Sequence, residues 1–184
     1  MDRRLIAEFT TPGGIAGKLR PFQESDWPGF LELLKDPEVM RFLLKQDSDD
    51  ERREVFEKVT SPPSADGLGF SAIEIDQTFA GAVGLKAVNF EAPFTPCIEI
   101  GWRFHKAFWG KSIAYSAAEC VLDYGFKQLE LPEIVAFTTI DNIRSQRLME
   151  RLGFTRDFAN DFDFPGMAAD NPLLKHVLYR KTRA

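Results

Sequence analysis

One junction does most to limit the folds open to this chain. Cys97 to Phe104 alternates, with Ile98, Ile100, Trp102 and Phe104 on one side and Cys97, Glu99, Gly101 and Arg103 on the other, the period of a β-strand. A few residues later comes Trp109-Gly110-Lys111-Ser112-Ile113-Ala114. From there Ile113, Ala114, Ala117, Ala118, Val121 and Leu122 recur at the i, i+3, i+4 spacing of a helix packed on a sheet. A strand that runs through a glycine turn into a helix gathers unpaired backbone N–H groups at one point, where the helix dipole adds positive charge. A diphosphate fits that description, although a bare turn with Ser112 as helix cap accounts for the same six residues.

The triplet Gly110-Lys111-Ser112 also ends a nucleoside-triphosphate loop, but that motif needs glycine five positions before Gly110. His105 stands there.

Composition narrows the partners. The 184 residues carry 23 basic and 28 acidic side chains, a net charge of −5, without the basic block that tracks nucleic acid. No apolar run approaches the roughly 18 residues that span a bilayer, and Met1-Asp2-Arg3-Arg4 opens no signal-length apolar segment, so neither membrane nor export is expected. A cytoplasmic location is expected, with Cys97 and Cys120 as reduced core thiols. His105 and His176 are too few and too isolated for a metal site, and no metal is expected. No linker divides the chain, so residues 1–184 read as a single domain.

Element by element, Leu19 to Phe22 reads as a strand end and Glu24-Ser25-Asp26 starts a helix with Trp27, Phe30, Leu31 and Leu34 inward. A second helix spans Asp49 to Thr60. Gly69–Ile75 and Phe79–Asn89 form a hairpin turning at Asp76-Gln77. Ile134 to Thr139 is a strand, and Asp141 or Asn142 caps a helix reaching Leu152, with Gly153 left-handed after its end. Phe154–Phe158 and Leu174–Arg180 are late strands. Between them, the acidic and aromatic stretch from Ala159 to Pro172 reads as a lining of an acceptor site or as a plain surface loop.

Five segments in this order resemble the GNAT superfamily of acyl-CoA-dependent N-acetyltransferases. They are Leu19-Arg20-Pro21-Phe22 with Asp26, Asp36 to Phe42, Glu99-Ile100-Gly101-Trp102, the turn at Gly110, and Asp141-Asn142 with Ser145 and Gly153-Phe154. The branch resembled is that of the ribosomal-protein N-terminal (Rim-type) acetyltransferases. The resemblance implies an α/β (α+β) GNAT fold, a mixed and mostly antiparallel sheet of about seven strands flanked by about four helices.

It also implies acetyl-CoA as cosubstrate, held by Trp109, Gly110, Lys111, Ser112, Ile113 and Ala114 at the pyrophosphate, by backbone at Trp102 and Phe104, and by Asn142 along the pantetheine arm. Ser112 occupies a family glycine position, where a Cβ hinders the pyrophosphate if the backbone angle is unusual. Glu99 is the candidate general base, since burial raises a carboxyl pKa toward useful values; a solvent-facing strand glutamate fits the alternation equally. Ser145 is the candidate acid for the departing thiolate. Arg103 and Lys111 touch phosphates or are solvated. The acceptor is a small-molecule amine or a peptide N-terminus, and a homodimer is compatible with the family. The rival is a non-catalytic acyl-CoA-binding protein on the same fold.

Overall fold

The computed structural model describes residues 6–61 and 64–183. The chain forms β1 (Ala7–Thr10), β2 (Ala16–Arg20), α1 (Trp27–Lys35), α2 (Asp49–Thr60), β3 (Phe70–Ile75), β4 (Thr78–Ala87), β5 (Ile98–Phe104) and α3 (Ile113–Asp123). It continues with β6 (Glu133–Thr139), α4 (Ile143–Arg151), β7 (Thr155–Arg156), β8 (Phe162–Asp163) and β9 (Lys175–Thr182). One sheet runs in the order β1-β2-β3-β4-β5-β6-β9-β7, with β8 against β9. Among the described residues, nine strands and four α-helices stand against the expected count of about seven and four; β1 and β8 are the additions.

Most boundaries follow local chemistry. β2 stops at Arg20 because Pro21 has no N–H to continue a ladder. The β3–β4 hairpin turns at Asp76 and Gln77, both with positive φ, as a two-residue turn with right-handed strand twist requires. α1 begins after a 3₁₀ turn, and its buried face is Phe30, Leu33 and Leu34; Leu33 takes the place expected for Leu31. Gly153 is left-handed, with φ +81°, just past α4.

Ile100 and Phe104 join Ile113, Ala117, Val121 and Met149 in the main core, so α3 covers that face of β5. α1 and α2 close a second cluster around Phe30, Leu33 and Phe56. A third, built on Phe94, Val135 and Leu178, gathers Phe90, Phe137 and Phe162. Phe162 belongs to the 159–172 stretch, which therefore contributes rings to a packed cluster.

Arg20 fastens β2 to the start of α1. Its Nη1 and Nη2 donate to Asp26 Oδ2 and Oδ1 at 2.8 and 2.7 Å, and its Nε donates to Glu74 Oε2 at 2.5 Å. Asp26 is buried and also accepts from the Gln23 N–H at 2.8 Å. The Arg20…Asp26 signature is thus a structural clamp.

Every strand pair is antiparallel except β5 with β6. These two are parallel and register at only Glu99↔Val135. Beyond that point they part.

Candidate active site

The parted strands open a cleft of about 1480 Å³, lined among others by β5, the turn after it, the N-terminal part of α3 and one face of α4 along its length. The ladder on the other side of β5 decides which backbone groups face it. His105 N–H donates to Ala80 C=O and Val88 N–H to Cys97 C=O, so the odd residues from 97 to 105 bond toward β4. Trp102 and Phe104, past the Glu99↔Val135 bridge, therefore turn their N–H and C=O groups toward the gap. Phe104 C=O is already taken, accepting from Trp109 Nε1 at 3.1 Å.

The turn into α3 is built on two left-handed residues, Gly110 at φ +74° and Ser112 at φ +60°. A Cβ on Gly110 meets no atom within 4 Å, so glycine is favoured there by backbone angle and not by crowding. Ser112 makes no side-chain cap bond, against expectation. Its left-handed φ is not the extended one from which a capping hydroxyl reaches back to the first turn. The first N–H groups of α3 consequently lack a side-chain acceptor, and Ser112, Ile113 and Ala114 line the cleft. Alternating hand around such a turn makes the concave amide nest that receives anions. Lys111 departs from expectation: it is exposed, lies 5.8 Å from the Phe108 ring and does not line the cleft.

Trp109 is a brace as much as a cleft wall. It packs against both the main core and the α1–α2 cluster, and the Arg144 guanidinium stacks 3.9 Å from its ring centroid. Arg144, Arg147 and Arg151 of α4 also line the cleft. Their spacing along α4 was visible in the sequence, but only the fold turns that face toward the α3 terminus.

α4 is capped by Asn142, not by the exposed Asp141. Asn142 Oδ1 accepts from the Ser145 N–H at 3.3 Å, and its Nδ2 donates to Thr138 Oγ1 at 2.9 Å, which ties the cap to β6. One N–H and one lone pair of the amide stay available at the cleft. Ser145 is half-buried on the cleft wall.

Glu99 stands at the one point where β5 and β6 pair. It is 7% exposed, which removes the solvent-facing alternative. Burial pushes its carboxyl pKa above the ordinary range. The Lys86 ammonium lies 3.1 Å from Oε2 and pulls the other way, but this 54%-exposed cation is poorly aligned for a hydrogen bond and does not cancel the burial. Two residues along the same face as Gly101, Arg103 is half-buried, not solvated, and burial drops its pKa to about 10.

The thiols are unsuited to nucleophilic work: burial pushes Cys97 up to about 11 and raises Cys120. Among the described residues no group of three or more His, Cys, Asp or Glu side chains converges as a metal set. None of those residues forms a helix long and apolar enough to cross a membrane. No residue of the 159–172 stretch lines the cleft.

Comparison with known proteins agrees with this geometry. Residues 18–155 match the acetyltransferase (GNAT) domain model. The uncharacterised N-acetyltransferase YnaD of Bacillus subtilis is 27% identical over 139 residues, 76% of this chain and 79% of the relative. RimJ of Mycobacterium smegmatis, solved with CoA-disulfide, superposes with a TM-score of 0.74 at 19% identity, covering 96% of this chain and 86% of that one. Spermidine N-acetyltransferase of Vibrio cholerae, solved with CoA and spermine, superposes with a TM-score of 0.70 at 19% identity, covering 91% and 95%. The chain belongs to the GNAT family of N-acetyltransferases.

Proposed function

We propose that this chain, acting as one domain, transfers an acetyl group from acetyl-CoA to a primary amine by direct attack. The observation that carries the proposal is the coincidence, in one cleft, of parted β5 and β6, an α3 terminus without a side-chain cap, and a buried glutamate at the fork. In this reading the amides of Ser112, Ile113 and Ala114 receive the pyrophosphate, with Gly110 setting the turn and Trp109 bracing it. Trp102, through both its backbone groups, and Phe104, through its N–H, pair with the pantetheine amides. Asn142 holds the arm with its remaining donor. Lys111 stands outside this set and serves at most as a solvated counter-charge.

Glu99 takes a proton from the ammonium through water. The freed amine lone pair attacks the thioester carbonyl, whose oxygen is polarised by a gap-facing N–H of β5. The C–S bond then breaks and the electron pair leaves with sulfur; the Ser145 hydroxyl hands its proton to the thiolate and is reprotonated by the proton that the cationic nitrogen sheds as the amide forms. Amide and free thiol are the products. The raised pKa of Glu99 suits the first step, because it makes the carboxylate a stronger proton acceptor than an ordinary surface glutamate.

A screen of primary amines and peptide N-termini for acetyl-CoA-dependent thiol release tests the proposal, with calorimetry to measure acetyl-CoA binding. Binding with release is the expected result. Binding without release from any amine favours the alternative of a non-catalytic acyl-CoA-binding protein, an alternative supported by the Cβ that Ser112 places inside a left-handed turn. No binding overturns both.

A further inference from the structure

The charged groups of the cleft wall are unequally partnered. Arg103 Nη1 is shut off from solvent and meets no hydrogen-bond acceptor, and no carboxylate among the described residues pairs with this guanidinium. A guanidinium nitrogen shut off from water without an acceptor is unfavourable unless something compensates it. Burial is the sole cause of its lowered pKa, with no neighbouring acid to offset it.

The face on which it lies says what could compensate it. Arg103 alternates with Gly101 and Glu99 and so points away from Ile100, Phe104 and the α3 terminus. Glu99 and Arg103 leave β5 about 13 Å apart, four residues at strand rise. The small residue Gly101 lies between them on the cleft wall, and Ala82 stands across from Arg103 on β4. Of the other charged side chains that line the cleft, Glu38 pairs with Lys106 at 2.5 Å, Lys58 lies 3.9 Å from Glu54, and Arg41 lies 5.1 Å from the Phe42 ring centroid.

We propose that Arg103 is the receptor for an anionic oxygen group, and that the acceptor amine carries it as a carboxylate on the far side of a short spacer. This rests on the acetyltransferase reading of the same cleft and adds the substrate class: amines that bear an acid. A guanidinium presents a planar fork that takes a carboxylate on two parallel bonds. A phosphate oxygen of the cosubstrate is the other source of the same chemistry, but the pyrophosphate turn lies toward α3, on the opposite face.

Calorimetry on wild type, Arg103→Met and Arg103→Lys separates the sources. Each is titrated with CoA, and then the CoA-loaded protein is titrated with 6-aminohexanoate and with its neutral isostere 6-aminohexanamide. Wild type should bind the acid about tenfold tighter than the amide, Arg103→Met should bind the two alike, and Arg103→Lys should keep part of the preference, with CoA affinity the same in all three. A tenfold loss of CoA affinity in Arg103→Met, recovered in Arg103→Lys, assigns the anion to the cosubstrate and overturns the acceptor assignment. No acid preference in wild type, or one that Arg103→Met retains, with CoA binding unchanged, overturns the proposal. If wild type binds no CoA, the acetyltransferase reading itself fails. Arg103 is then judged by melting of the CoA-free proteins with each ligand: the acid must raise the wild-type transition and leave that of Arg103→Met unmoved.

Discussion

Two parts of the sheet handle buried charge in opposite ways. At the β2–β3 corner, Arg20 makes three bonds to two carboxylates, Asp26 is held by both the guanidinium and a backbone N–H, and Glu74 is shared between Arg20 and Lys18. Lys18 and then Arg20 keep the Glu74 carboxyl below its ordinary pKa. On β5, Glu99 has one exposed, misaligned lysine and Arg103 has no partner among the described residues, and burial moves both pKa values toward the neutral form. Charges that fold the protein are paired within it. Those on β5 keep bonding capacity at the cleft wall.

Three substitutions sharpen this contrast, in falling order of effect. Glu99→Gln should lower the acetyl-transfer rate about a hundredfold or more at neutral pH, with partial recovery as pH rises and the acceptor deprotonates without help. Its stability should run the other way. A carboxyl whose folded pKa is raised binds more protons folded than unfolded, so wild type loses stability as pH climbs from the ordinary glutamate range through the raised pKa. Glu99→Gln lacks that loss, and melts across this window should show the gap in its favour widening. Glu74, with its lowered pKa, contributes stability above the ordinary range that is lost as pH falls, the reverse sign on the same sheet.

Gly110→Glu should weaken acetyl-CoA binding about tenfold or more by calorimetry, because it adds a negative charge at an anion nest and a side chain at φ +74°. Ser112→Gly should have the smallest effect. With no cap bond to lose, relief of a left-handed non-glycine angle should offset the added chain entropy and raise stability by a few tenths of a kcal/mol, with acetyl-CoA affinity kept or improved. Destabilisation in a urea titration would return the hydroxyl to a capping role.

The order of elements was legible because its signals are local: the period-2 run of β5, the helical spacing after Ser112, Gly153 after α4, and the Asp76-Gln77 turn. β1 was not, since Ala7-Glu8-Phe9-Thr10 offers a single large apolar side chain, and its pairing with β2 is a tertiary outcome. The cleft residues Glu99, Trp102, Phe104, Trp109, Gly110, Ser112, Ile113, Ala114, Asn142 and Ser145 were all named from sequence and all line one cavity. Lys111 does not, because the turn points it outward. What escaped was partnership. Alternation places Arg103 beside Glu99 but cannot say that no acid faces it, and it cannot tell that Asn142 caps α4 while Asp141 is left exposed.

The most direct test of the contrast needs no ligand: urea denaturation of Arg20→Met and Arg103→Met beside wild type. Arg20→Met should lose about 3 kcal/mol or more, since it leaves buried Asp26 without its cation, whereas Arg103→Met should be as stable as wild type or more so, since it removes a half-buried charge that has no partner among the described residues. Equal and large losses in the two variants would mean that Arg103 is held within the fold as firmly as Arg20, and would contradict the account.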